Sequence, residues 1–105
     1  MPNKHRTVEE LTFNATVGRN IKFLRNRKKL NQTKVAEALS VSFQQIQKYE
    51  KGLNGVSSIR LKQLANKFNV SMDVLADPMM ITQYHGFDDE KTLLVSIWSL
   101  SKLET

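Results

Sequence analysis

The side chains best suited to directional polar contact lie together on one short segment. When residues from Ser42 to Lys51 are placed about 100° apart, Phe43, Gln44, Gln47, Lys48 and Lys51 share one half of a helix. Ile46 and Tyr49 share the other half, with Glu50 near the edge. A carboxamide offers donors and an acceptor side by side, and lysine adds a cation. That is a chemistry of recognition, without bond making. The equipment for bond making is missing: His5 and His85 stand alone, without ligand or triad spacing. The glycines at 18, 52, 55 and 86 build no phosphate-cradling loop, and Ser42 and Ser71 occupy helix-cap positions. No enzyme activity, metal, cofactor or small-molecule ligand is expected.

The stretch that must position these side chains is Gln32–Gly52, QTKVAEALSVSFQQIQKYEKG. Val35, Ala36 and Leu39 make one helical face, the phase breaks at Ser40–Val41, and it restarts at Ile46. Two short helices joined by a tight corner are the mark of a helix-turn-helix. Asn31 is placed to cap the first helix, and Ser42–Gln45 reads as an S-x-x-Q capping box opening the second. Ala36 is small where two steeply crossing helices must approach. Such a unit holds its second helix out from the body, where a DNA major groove can receive it.

With these residues in view, Val17–Asp77, about 61 of the 105 residues, resembles the Cro/C1-type helix-turn-helix regulators, also called the XRE or lambda-repressor-like family. The stretch VSFQQIQKYEKGLN, followed by a leucine-rich helix, carries the likeness most specifically. Two features depart from the family pattern. The corner residue is Ser40 where glycine is common, and a proline common after the recognition helix gives way to an Asn-Gly-Ser-rich loop, Leu53–Ser58. The resemblance implies an all-α, five-helix lambda-repressor-like DNA-binding domain, here with an additional C-terminal helix.

It also implies roles. Base reading would fall to Phe43, Gln44 and Lys48, with Ser42 and Gln47 in support. Glutamine pairs with adenine N6 and N7, lysine reaches guanine O6 and N7, and phenylalanine presses on thymine methyl groups. Asn31, Gln32, Lys51, Asn54 and Ser57 match phosphate-contacting positions, which set register and do not read sequence. Gln32 also matches a family glutamine that bridges toward the recognition helix. Arg25 and Glu50 match an ion pair tying helix 1 to that helix.

Charge agrees with a polyanionic partner. Residues 1–67 hold 14 Lys/Arg against 4 Asp/Glu, whereas residues 68–105 hold 2 against 6. The densest cluster, Arg25, Arg27, Lys28 and Lys29, ends the first helix, where the helix dipole also favours cations. The longest aliphatic runs are three residues, Met79–Ile81 and Leu93–Val95, too short to span a bilayer. The start, MPNKHRTVEE, has no apolar core of a signal peptide. The absence of cysteine suits a reducing, cytoplasmic setting.

The remaining pattern divides the chain into a polar arm at 1–11, the domain at 12–77, a linker at 78–87 with Pro78 and Gly86, and a helix at 88–105. Within the domain, helix 1 is predicted over Thr12–Lys29 with Phe13, Val17, Ile21 and Leu24 inward. Helix 4 near Ser58–Phe68 presents Ile59, Leu61, Leu64, Ala65 and Phe68, and a short helix capped by Ser71 adds Met72, Val74 and Leu75. The tail carries Leu93, Leu94, Val95, Ile97, Trp98, Leu100 and Leu103, more apolar surface than a helix draped on one small domain requires. It either folds back over the core or joins a second subunit. A homodimer with Leu94, Ile97 and Trp98 at the interface is the expectation.

These readings point to a dimeric, sequence-specific regulator of transcription that binds double-stranded DNA and represses by occlusion. An antitoxin or other interaction module with autoregulatory DNA binding is the alternative. Use of the fold for protein contacts alone conflicts with the basic block.

Overall fold

The computed structural model describes residues 6–83, and every regular element among them is helical. The elements are α1 Val8–Arg27, α2 Gln32–Leu39, α3 Phe43–Glu50, α4 Ser58–Phe68 and α5 Met72–Ala76. Residues 80–83 begin another helical turn. The expected C-terminal helix at 88–105 lies outside the described residues, as do Leu94, Ile97 and Trp98.

Helix α1 begins at Val8, earlier than Thr12, because Thr7 and Glu10 form a reciprocal cap. The Thr7 hydroxyl accepts from the Glu10 amide at 3.0 Å, and Glu10 Oε1 accepts from the Thr7 amide at 3.4 Å. A T-x-x-E box of this kind satisfies two orphan donors, so the segment assigned to a polar arm contributes the first turn of the helix. The helix stops at Arg27, where Lys29 turns left-handed at φ 58° and the Leu30 amide donates back to Arg25 O at 3.0 Å.

The two helices of the motif are bounded as their caps dictate. Asn31 Oδ1 accepts from the Lys34 amide at 2.8 Å to start α2. Ser40 closes it at φ 56°, with the Val41 amide donating to Ala36 O at 3.0 Å. The corner therefore takes the left-handed conformation in a residue that bears a Cβ, which costs strain that glycine avoids. Ser42 Oγ accepts from the Gln45 amide at 3.2 Å. The reciprocal glutamine half of that box is not among the hydrogen bonds of the described residues.

One core joins all five helices. Val17, Ile21 and Leu24 of α1 meet Val35, Ala36, Leu39, Ile46, Tyr49, Leu64, Ala65, Phe68 and Leu75. Met80 joins them at 1% exposure, so the first part of the expected linker belongs to the fold. Three expected core residues face out: Phe13 at 44%, Ile59 at 59% and Met72 at 36% exposure. Each lies within the first two turns of its helix. Ser71 occupies the N-cap position of α5 but makes no side-chain cap bond. The far end of α5 is secured from α1 instead. The fully buried Asn20 donates through Nδ2 to Leu75 O at 3.0 Å and Asp77 O at 2.9 Å, satisfying carbonyls that a helix end leaves open.

Candidate nucleic-acid interface

The position of α3 is set by its contact with α1. Ile46 and Tyr49 enter the core, and the C-terminal turn of α3 lies directly on Gly18. A Cβ at Gly18 would collide with Tyr49 O and stand 2.8 Å from Glu50 O. A glycine inside a helix lowers helix propensity, and here its reason is close backbone approach. Gly52, at φ 72°, turns the chain away immediately afterwards, and a Cβ there would stand 3.0 Å from Ala15 Cα.

Polar contacts then fix the rotation of α3 about its own axis. Arg25 of α1 grips Glu50 with two parallel bonds, Nε to Oε2 at 2.6 Å and Nη2 to Oε1 at 3.1 Å. The side chains of the pair are only 11% and 3% exposed. Arg25 also donates through Nη1 to Leu30 O at 2.9 Å, and Gln32 Nε2 donates to Glu50 Oε1 at 3.0 Å. A buried carboxylate is tolerable when paired and fully hydrogen-bonded, and a guanidinium supplies the planar fork that matches it. Gln32 thereby draws the start of α2 against the end of α3.

Arg60 closes the other side of the motif. From the first turn of α4 its Nη1 donates to Leu39 O, the last residue of α2, at 2.9 Å, and to Gln63 Oε1 at 2.8 Å. The loop before α4 is held from the N-terminal side too, where Arg6 Nη1 donates to Leu53 O at 2.9 Å. Gly18, Arg60, Arg6 and Asn20 escaped the sequence reading. The partners of Arg60, Arg6 and Asn20 are carbonyls distant in the chain, and only Gly18, a glycine inside a helical pattern, carries a local signal.

The outward half of α3 is free of such ties. Ser42, Phe43, Gln44 and Lys48 are exposed, and Gln47 is half-buried. Asn31, Lys51 and Ser57 are exposed, while Gln32 and Asn54 are half-buried. Ser57 Oγ accepts from the Arg60 amide at 3.3 Å as the cap of α4. A hydroxyl that accepts a cap bond keeps its own proton to donate, as Ser42 also does, and Asn31 keeps its amide donors. Among the described residues no group of His, Cys, Asp or Glu is placed to hold a metal ion. No described helix is long and apolar enough to cross a membrane.

Comparison with known proteins gives one family. A helix-turn-helix family model matches residues 21–75, from the middle of α1 through Leu75 in α5. An uncharacterized HTH-type transcriptional regulator of Sinorhizobium fredii, y4wC, is 45% identical over 56 residues, covering 53% of this chain and 39% of the relative. An uncharacterized transcriptional regulator in the ATPase CF(0) region of Rhodospirillum rubrum is 42% identical over 59 residues, 56% of this chain and 55% of its own. The antitoxin PezA of Streptococcus pneumoniae is 33% identical over 82 residues, 77% of this chain and 51% of its own. This chain thus spans between about two-fifths and just over half the length of these curated relatives. No solved structure matches it significantly. With the family model covering more than half of its residues and the corner, caps and closing helices in register, the chain belongs to the Cro/C1-type helix-turn-helix family of transcriptional regulators.

Proposed function

We propose that this chain is a sequence-specific double-stranded-DNA-binding regulator of transcription, acting as a dimeric repressor. The observation that carries the reading is the division of α3: an inward side locked by Ile46, Tyr49 and Glu50, and an outward side with Phe43, Gln44 and Lys48 exposed. In this reading α3 enters the major groove, Phe43, Gln44 and Lys48 read bases, and Ser42 and Gln47 assist. Asn31, Gln32, Lys51, Asn54 and Ser57 hold phosphates on either side. Gln32 does so with the second N–H of the amide nitrogen whose first N–H stays on Glu50. The protein works in the cytoplasm, at the nucleoid.

One such domain reads only a few base pairs, so useful specificity calls for two half-sites about one helical turn apart. Leu94, Ile97 and Trp98 supply the subunit contact in this reading, and polymerase is excluded where the dimer sits. The likeness to the antitoxin PezA favours one second reading, in which a protein partner is bound as well and DNA binding is autoregulatory. Co-purification with the product of a neighbouring gene separates the two.

Genome-wide mapping of bound sites tests the proposal directly. A single palindromic motif with half-sites a helical turn apart is the expected outcome, and scattered occupancy without a motif overturns it. On a mapped site, contact with roughly 4–5 phosphates per subunit gives a log–log salt slope of about −7 to −9. A slope of about −2 would leave the basic block as solvated surface.

A further inference from the structure

Residues 51–57, between α3 and α4, carry no helix or strand, yet the proposed function asks Lys51, Asn54 and Ser57 within them to meet phosphates. The start of this loop is tied to α3, where the Leu53 amide donates to Lys48 O at 2.9 Å. Its end is tied to the body, where Ser57 caps α4 and Val56 packs against the core. Between these points burial contributes little. Leu53 is 57% exposed, and Gly55 is exposed as well.

The loop also borders an open cleft of about 420 Å³. Arg6, Glu9, Glu10, Phe13 and Asn14 line it from the start of the described chain, and Gly55 lines it from the loop. A Cβ on Gly55 would stand 3.6 Å from Asn14 Oδ1, so the two segments pass close without interlocking. Packing alone therefore does not fix the loop on this side.

Arg6 supplies what packing lacks. Its Nη1 donates to Leu53 O at 2.9 Å, joining residues 47 positions apart. Such a bond is charge-assisted and stronger than one between neutral groups. The amide and the carbonyl of Leu53 are thus both held, one by α3 and one by Arg6. The base from which Arg6 reaches is fixed too. It directly precedes Thr7, whose hydroxyl accepts from the Glu10 amide and whose own amide donates to the Glu10 carboxylate. That reciprocal cap holds the entry to α1 in one conformation.

We infer that Arg6 is a positioning residue for DNA binding: through Leu53 O it keeps residues 54–57 in the shape that meets phosphates, without touching DNA itself. The consequence for binding rests on the proposed function, whereas the tie belongs to the free protein. A loop already held avoids the ordering cost that a loose one meets on binding. Phosphate contacts carry no sequence information, so the effect falls equally on operator and unrelated DNA.

Arg6→Met keeps a long side chain and removes its donors. In the full-length variant, NMR order parameters of the Asn54, Gly55 and Val56 amides are expected to fall from about 0.85 toward about 0.6. Those of α3 and α4, and the unfolding midpoint, are expected to stay unchanged. Affinity for a duplex with the mapped site and for an unrelated duplex should fall by one common factor, about three- to tenfold. The log–log salt slope should not change. Thr7→Ala loosens the base of Arg6 and leaves every charge in place, so it is expected to move loop order and affinity the same way by less. Order parameters that stay rigid in Arg6→Met would overturn the tie, and a loosened loop with unchanged affinity would overturn its role in binding. A slope shallower by about 1 would make Arg6 a phosphate contact and overturn positioning. Relaxation is read without DNA: a wild-type chain that binds neither duplex would sink the DNA-binding reading and the role of Arg6 in it, and the tie would still be decided.

Discussion

The two sides of α3 are made from the same eight residues and are treated oppositely by the rest of the molecule. On the inward side, Ile46 is fully buried, Tyr49 nearly so, and the Glu50 carboxylate accepts from both Arg25 and Gln32. On the outward side, Phe43, Gln44 and Lys48 are exposed and have no such partner among the described hydrogen bonds. Stability is thus carried by one face of this short element, and the recognition proposed above falls to the other. An eight-residue helix is marginal by itself, so its precision comes from the contacts behind it. The comparison says which substitutions should unfold the protein and which should only blind it.

The largest effect is expected from the inward side. Glu50→Ala leaves the Arg25 guanidinium buried without its partner and should cost about 3–5 kcal/mol in urea unfolding. A loss below about 1 kcal/mol would mean that water solvates the pair and that it does not anchor α3.

Gly18→Ala comes next. Its Cβ meets the carbonyls of Tyr49 and Glu50, which are backbone and cannot rotate aside, so α3 must move outward. A loss of about 1–3 kcal/mol in stability is expected, with weaker DNA binding in the population that stays folded. Unchanged binding beside lowered stability would show that groove docking tolerates a shifted helix.

Gln44→Ala probes the outward side. Binding to the mapped operator should weaken by about 1–3 kcal/mol, with non-specific binding and the unfolding midpoint unchanged. Equal weakening on every DNA would make Gln44 a phosphate contact.

The smallest effect belongs to the corner between the two helices. Ser40→Gly relieves a left-handed residue and should raise stability by about 0.5 kcal/mol without changing DNA affinity. A lower midpoint would show that the entropy of a glycine in the unfolded chain outweighs the strain relieved.

The legibility of this protein was uneven for physical reasons. Periodicity identified Val17, Ile21 and Leu24, and the phase break identified the corner, because both depend on neighbours in sequence. The start of α1 was misplaced because Thr7–Glu10 sits in a polar stretch where the cap is the only signal. Phe13, Ile59 and Met72 share stripes with core residues, yet a stripe does not tell where the covering helix ends. Asn20 and Arg60 could not be read at all, since their partners are carbonyls of Leu75, Asp77 and Leu39, far away in the chain.

What the sequence determined by itself was local: the caps at Asn31 and Ser42, the break at Ser40, the alternation of apolar and polar sides on α3, and the excess of cations through residue 67. Each follows from the chemistry of a few consecutive residues. Only the tertiary structure decided how far α3 stands from the body and how it is rotated, because those depend on Gly18 admitting a backbone carbonyl and on a guanidinium reaching a carboxylate 25 positions away. The distance between α1 and α3 is a property of two helices meeting, and no single stretch of sequence contains it.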